Sequence, residues 1–122
     1  EGWAEGDKLC CLVTGGAFGE YCLCPARHCL RMPAGYTWHE AAAVPLAAAA
    51  SWSFLLDQGA LRAGQAVAIH GAAGGVGHVM LQLARARGLR VVASCGSEAK
   101  AEFCREMGAD LAVDRTAQDF LR

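Results

Sequence analysis

The sequence predicts an α/β fold built on a parallel sheet, and three observations predict it. An apolar, β-prone run over residues 67–70 ends in a glycine-dense turn, Gly71-Ala72-Ala73-Gly74-Gly75-Val76-Gly77. That turn feeds an amphipathic stretch over residues 77–87, in which Val76, Val79, Met80, Leu83 and Ala84 recur at the spacing of one helical face. From residue 67 onward strand and helix patterns alternate: strand 67–70, helix 77–87, strand 90–94, helix 98–107, strand 111–113. Alternation at this spacing implies right-handed crossovers between parallel strands. The 122 residues, 54% hydrophobic and 19% charged, amount to about one globular domain.

Taken in order, the chain opens with β signals. Residues 8–13 read as a strand entered from a Gly6-Asp7 turn, residues 18–24 as a second strand ending before Pro25, and residues 29–32 as a short third. Cys22 and Cys24 alternate, which places both on one strand face as small core hydrophobes. Thr37-Trp38-His39-Glu40 is a capping box, so a helix starts there. Pro45 breaks or kinks it. Residues 46–56 form a second helical run, apolar almost all round and therefore buried. In the alternating part, residues 67–70 read as a buried parallel strand. Arg85 and Arg87 suit the negative end of the first helix dipole, and Gly88 caps it. Ala99, Phe103 and Met107 mark the face of the next helix, which Gly108 caps. Thr116-x-x-Asp119 opens a further helix.

The strand–turn–helix unit carries the chemistry. A strand that turns abruptly into a helix leaves backbone N–H groups free at the positive end of the dipole, and those donors bind phosphate. Gly74 and Gly75 let a pyrophosphate approach, and Gly77 lets the helix pack closely on the strand, as in the Rossmann fingerprint G-x-G-x-x-G. Read on that spacing, the first glycine is replaced by Ala72. Binders of NAD place a carboxylate on the ribose hydroxyls roughly 20 residues past the glycines. Here that place is Ser94-Cys95-Gly96-Ser97, without an acid, which admits the 2′-phosphate of NADPH. Ser97 sits at a helix start, and Lys100 offers the phosphate a point charge. Arg115 is placed to stack on the adenine or to meet the phosphate.

Several classes are excluded. A net charge of −1 gives no basic footprint for nucleic acid or for a membrane surface. The most apolar window, residues 41–56, is shorter than the roughly 20 residues of a span. Acidic Glu1, Glu5 and Asp7 stand where a signal peptide would be basic, so the expected location is cytoplasmic. Seven cysteines, an odd number, are expected as free thiols. Cys10, Cys11, Cys22, Cys24 and Cys29, with His28, lack the C-x2–4-C spacing of a zinc site, so no metal is expected.

The chain resembles the zinc-independent quinone oxidoreductases, the zeta-crystallin-like branch of the medium-chain dehydrogenase/reductases. The resemblance runs through its length in G-D-K-L-C-C-L-V, G-G-A-F-G-E-Y, P-A-G-Y-T-W-H-E-A-A-A-V-P, L-R-A-G-Q, H-G-A-A-G-G-V-G, Q-L-A-R-A-R-G, G-S-E-A-K and M-G-A-D. Enoyl reductases of polyketide and fatty-acid synthases share most of these motifs. The resemblance implies a fragment of a two-domain enzyme. Residues 1–44 would be the end of a GroES-like β domain on the substrate side, and residues 45–122 the first half of a Rossmann NADP-binding domain. It implies hydride transfer from NADPH to a quinone or enone, no metal, and a homodimer in the full protein. Its cofactor residues are Ala72, Ala73, Gly74, Gly75, Val76, Gly77, Ser94, Gly96, Ser97, Lys100 and Arg115; no catalytic acid is identified. His39 reads as surface and His70 as structural. The sequence departs from the family at Ala50 (commonly Thr), Arg115 (commonly Tyr) and Phe18 (commonly Tyr). An enoyl-reductase module and a truncated, non-catalytic nucleotide-binding protein remain alternatives.

Overall fold

A computed structural model of the chain describes residues 2–117. They divide into two compact units, Glu1–Leu46 and Ala47–Arg122. The first holds β1 (Leu9–Cys11) and β2 (Cys29–Arg31), paired antiparallel, with one 3₁₀ turn at Ala26–His28 between them. Residues 18–24, expected as a strand, join no ladder among the described residues. Phe18, Tyr21 and Leu23 stand almost fully in solvent. With no paired neighbour, the segment's backbone groups turn to water instead. Cys22 is exposed, not a core hydrophobe.

Helix α1 (Trp38–Trp52) begins at the expected capping box. Thr37 N–H donates to Glu40 Oε2 at 2.8 Å, and Glu40 N–H to Thr37 Oγ1 at 3.3 Å. The Thr37 N–H, and next the Thr37 Oγ1 hydroxyl donating to the same Oε2 at 2.8 Å, hold the Glu40 carboxyl below its usual range. Pro45 lies inside α1 and does not end it. The helix passes into a π-helical turn, Ser53–Gln58. The run 46–56 is buried along one stripe only. Ala47, Ser51 and Leu55 are buried, while Leu46, Trp52 and Phe54 are exposed.

The second unit is a three-stranded parallel sheet in the order β3 (Ala66–His70), β4 (Arg90–Cys95), β5 (Leu111–Asp114), joined by α2 (Gly75–Ala86) and α3 (Glu98–Glu106). The central strand is β4, and its residues are mostly buried. β3 has a ladder on one side only among the described residues. Only Ile69 of it is fully buried, against the expected buried strand. The core comprises Leu55, Ile69, Leu81, Leu89, Val91, Ala93, Cys95, Ala101, Cys104 and smaller neighbours.

α2 buries much of the face the spacing suggested, whereas α3 buries a different one. α2 buries Gly77, Leu81 and Ala84, with Met80 and Leu83 packed alongside. α3 buries Ala101 and Cys104, while Ala99 and Phe103 face outward. In α3 the small residues Ala101 and Cys104 face the sheet, where a long side chain would hold the helix off. The helix ends are alike. After α2, Leu89 N–H donates to the Ala84 carbonyl at 3.0 Å and Gly88 N–H to Arg85 at 3.0 Å; Gly88 takes φ +70°. This is the Schellman closure, and it needs the left-handed residue that glycine supplies. After α3 the same pair of bonds runs from Ala109 and Gly108 to Cys104 and Arg105. The Thr116-x-x-Asp119 helix start lies outside the described residues.

Candidate functional site

The site forms where the parallel strands end and the next helices begin. β3 stops at His70, and Gly71 turns the chain at φ +65°. Gly71, not Ala72, takes the tight-turn position, so the working spacing is Gly71-x-x-Gly74-x-x-Gly77. Ala72 is fully buried, and its N–H donates to the Ser94 carbonyl at 3.1 Å. It packs beneath the cleft and does not line it. Gly77 is the point of closest approach: a Cβ there would lie 2.4 Å from the Gly71 oxygen and 2.7 Å from Ala72 Cα. Gly75 differs, since a Cβ there would meet nothing within 4 Å. The space over the first residue of α2 is open. No side chain caps that helix start, so its first N–H groups face the opening.

A cleft of about 220 Å³ lies there, lined by Gly71, Ala73, Gly74, Cys95, Gly96, Lys100 and Arg115. Five of the residues expected from sequence meet in it: Ala73, Gly74, Gly96, Lys100 and Arg115. The Arg115 guanidinium lies over Gly96, with Nη2 3.6 Å from where a Cβ would stand. Neither Lys100 nor Arg115 is paired with a carboxylate among the described residues. Two cations, and no acid among the described residues, therefore line one small opening.

The other expected residues lie beside the cleft. Gly75, Val76 and Gly77 line an adjoining cavity with Phe54, His70 and Met80. Ser97 spends its hydroxyl on the cap of α3, accepting from Lys100 N–H at 3.3 Å. Ser94 is buried, its Oγ 2.9 Å from His70 Nδ1, which ties the ends of β3 and β4 together. His39 is exposed in the first turn of α1. Asp114 closes β5 and accepts from Thr116 Oγ1 at 2.7 Å and Thr116 N–H at 2.9 Å. Those bonds hold its carboxyl below the usual range. Ser51, wholly buried, donates to the Val76 carbonyl at 3.3 Å and fixes the end of α1 to the first turn of α2.

Sequence reasoning missed Gly71 and Cys95. Gly71 was legible as the residue that directly follows the strand. Cys95 was hidden by the strand's extra residue, which carries β4 one place further into the cleft. Among the described residues, no three His, Cys, Asp or Glu side chains are placed to hold a metal ion. No helix there is long and apolar enough to cross a membrane.

This sheet, its glycine turn and its strand-end cleft define a Rossmann-type nucleotide-binding unit. Residues 75–122 match the family described as zinc-binding dehydrogenase. The quinone oxidoreductase of Thermus thermophilus, solved also in complex with NADPH, superposes with a TM-score of 0.82. It is 33% identical, over 91% of this chain and 37% of that one. The Escherichia coli quinone oxidoreductase complexed with NADPH gives a TM-score of 0.72 and 26% identity, over 77% of this chain and 29% of that one. Among curated proteins, a mycocerosic acid synthase-like polyketide synthase of Mycobacterium tuberculosis (strain ATCC 25618 / H37Rv) is 36% identical over 94% of this chain and 6% of its own length. Polyketide synthase GfsB of Streptomyces halstedii is 42% identical over 88% of this chain and 2% of its own. By these comparisons the chain is similar to the medium-chain dehydrogenase/reductases, and it spans a small part of the curated relatives it matches.

Proposed function

We propose that the chain holds the phosphate end of NADPH in a zinc-independent reductase that delivers hydride to an electron-poor acceptor, a quinone or an enone. The single observation that carries this reading is the pair of cations, Lys100 and Arg115, lining a cleft to which no acid among the described residues contributes. The residues present fit the cofactor. Open space at Gly75 and the uncapped start of α2 suit a pyrophosphate, and the two cations suit a 2′-phosphate. When bound, NADPH supplies a hydride from its nicotinamide ring. The chain's own part is to bind and orient: Gly77 seats α2 against the turn, the α2 dipole draws the pyrophosphate in, and Lys100 with Arg115 fixes the adenosine end. Residues 1–44 belong in this reading to the substrate-side domain and residues 45–122 to the cofactor domain, in a cytoplasmic enzyme.

A second reading changes only the acceptor. The polyketide synthases at 36% and 42% identity favour an enoyl group carried on a synthase. Rates of NADPH oxidation with a soluble quinone and with an enoyl thioester separate the two.

The cofactor reading is tested by Lys100→Ala in the whole protein. A charge-assisted contact is worth about 1.5–3 kcal/mol, so NADPH binding should weaken roughly ten-fold or more, with NADH nearly untouched. Equal losses for both, or a wild-type preference for NADH, would return Lys100 to an ordinary surface role.

A further inference from the structure

The thiols of the first unit form a pattern that cofactor binding leaves unused. Cys11 stands directly opposite Cys29 in the β1–β2 ladder. Leu12 N–H donates to the His28 carbonyl at 3.2 Å, and Met32 N–H to the Lys8 carbonyl at 3.0 Å. Bonded and non-bonded pairs alternate along an antiparallel ladder. Cys11 and Cys29, one step inside the Leu12–His28 pair, are therefore a non-hydrogen-bonded pair. That is the closer kind, with Cα atoms about 4.5 Å apart and both side chains on one face. Disulfides accept Cα separations of about 4.4–6.8 Å, so this backbone needs little movement to be bridged.

A third thiol stands beside them. Cys24 Sγ donates to the Leu12 and Pro25 carbonyls, each at 3.6 Å, and Cys29 Sγ donates to the same Pro25 carbonyl at 3.7 Å. All three sulfurs belong to free, partly accessible cysteines. Burial, aided by hydrogen bonding with Cys29 and Cys11, pushes the Cys24 thiol up to about 12. A thiol held protonated is a poor nucleophile, so Cys24 is the weaker candidate, and the ladder geometry singles out the cross-strand pair. The three are not placed to hold a metal ion.

We propose that Cys11 and Cys29 form a reversible oxidation site, closed to a cross-strand disulfide by a peroxide and reopened by a thiol reductant. One cysteine gives its proton to solvent and, as thiolate, attacks a peroxide oxygen; the O–O bond breaks, leaving a sulfenic acid and a hydroxide that takes up a solvent proton to become water. The second thiol attacks that sulfur; the S–O bond breaks, the S–S bond forms, and a second water carries away the remaining thiol hydrogen. Two thiols are oxidised and one peroxide is reduced. The bridge closes the loop over residues 12–28, which contains the unpaired segment 18–24. It thereby removes freedom from the unfolded chain.

The test is to treat the purified protein with hydrogen peroxide, block remaining thiols with iodoacetamide and digest with trypsin without reductant. Cleavage after Lys8, Arg27 and Arg31 puts Cys29 on the peptide 28–31, and Cys10, Cys11, Cys22 and Cys24 on the peptide 9–27. A species joining the two, lighter than their sum by the lost thiol hydrogens, should appear with peroxide and vanish with dithiothreitol. Cys11→Ser should abolish it and Cys24→Ser should leave it intact. Survival in Cys11→Ser with loss in Cys24→Ser moves the bridge to Cys24 and overturns the assignment. So does wild-type protein that yields no joined species while exposed Cys22 is oxidised.

Discussion

The two units of this chain bury themselves very differently. In Glu1–Leu46 the buried apolar residues among those described are Cys10, Ala41 and Pro45, while Phe18, Tyr21, Leu23 and Leu30 are exposed. In Ala47–Arg122 a contiguous core gathers Leu55, Ile69, Leu81, Val91 and Cys104 from helices and strands on both sides of the glycine turn. Both stretches are rich in apolar residues, so composition does not make the difference. The second unit has helices that return each strand to its neighbour, and every turn of chain adds area to the same core. The first has a three-residue ladder and a seventeen-residue excursion, residues 12–28, that returns without adding a strand.

The largest expected effect breaks the second unit alone. Gly77→Val would drive a branched side chain into the Gly71 carbonyl and Ala72 backbone, and overpacking against backbone costs about 3 kcal/mol or more. Urea denaturation followed by far-UV circular dichroism should show the sheet lost or its midpoint sharply lowered. An unchanged midpoint would mean that α2 does not seat on the turn as described.

Next in size is a matched pair. Leu81→Ala removes a fully buried side chain and should cost about 2–5 kcal/mol. Leu23→Ala removes one that is 97% exposed and should stay within about 0.5 kcal/mol. Comparable losses in the two variants would erase the contrast between the units.

The smallest effect reads the carboxylates. Glu40 and Asp114, one in each unit, are both held below their ordinary values of 4.5 and 3.8 by hydrogen bonds from Thr37 and Thr116. A depressed folded value stabilises the protein above the unfolded value, and that contribution is lost as pH falls through the folded one. Stability should therefore be flat near neutrality and begin to decline below about pH 4.5. Thr37→Ala and Thr116→Ala should each make the acid limb shallower. An acid limb unchanged in both would show that neither carboxylate is coupled to folding.

Sequence alone reached most of the second unit, because its signals are local. The Ser97 start of α3 and the glycine stops at Gly88 and Gly108 each act within a few residues, as does the capping box at Thr37 in the first unit. What it missed depends on distant partners. Residues 18–24 alternate like a strand, but a strand also requires a ladder. The burial of β3 was overstated because among the described residues it has a ladder on one side only, which the order of strands sets and its own residues do not. The seam of α3 shifted because small residues, Ala101 and Cys104, face the sheet in place of Ala99 and Phe103. At the site, Lys100 and Arg115 were legible from their spacing past the glycines. The burial of Ala72 and the engagement of Ser94 with His70 were not, since both depend on how β3 and β4 register.

The two Schellman closures set more than the ends of helices. Only Arg87, Gly88 and Leu89 separate α2 from β4, and Asp110, just ahead of β5, accepts Val91 N–H at 2.6 Å. Side chains on a strand alternate between faces, so the parity of the preceding turn decides which of Ser94 and Cys95 looks into the cleft. The specificity of the opening is thus partly a matter of counting. The length of a connection on the far side of the sheet, and not only the chemistry of the residues at the near side, determines what the ligand touches.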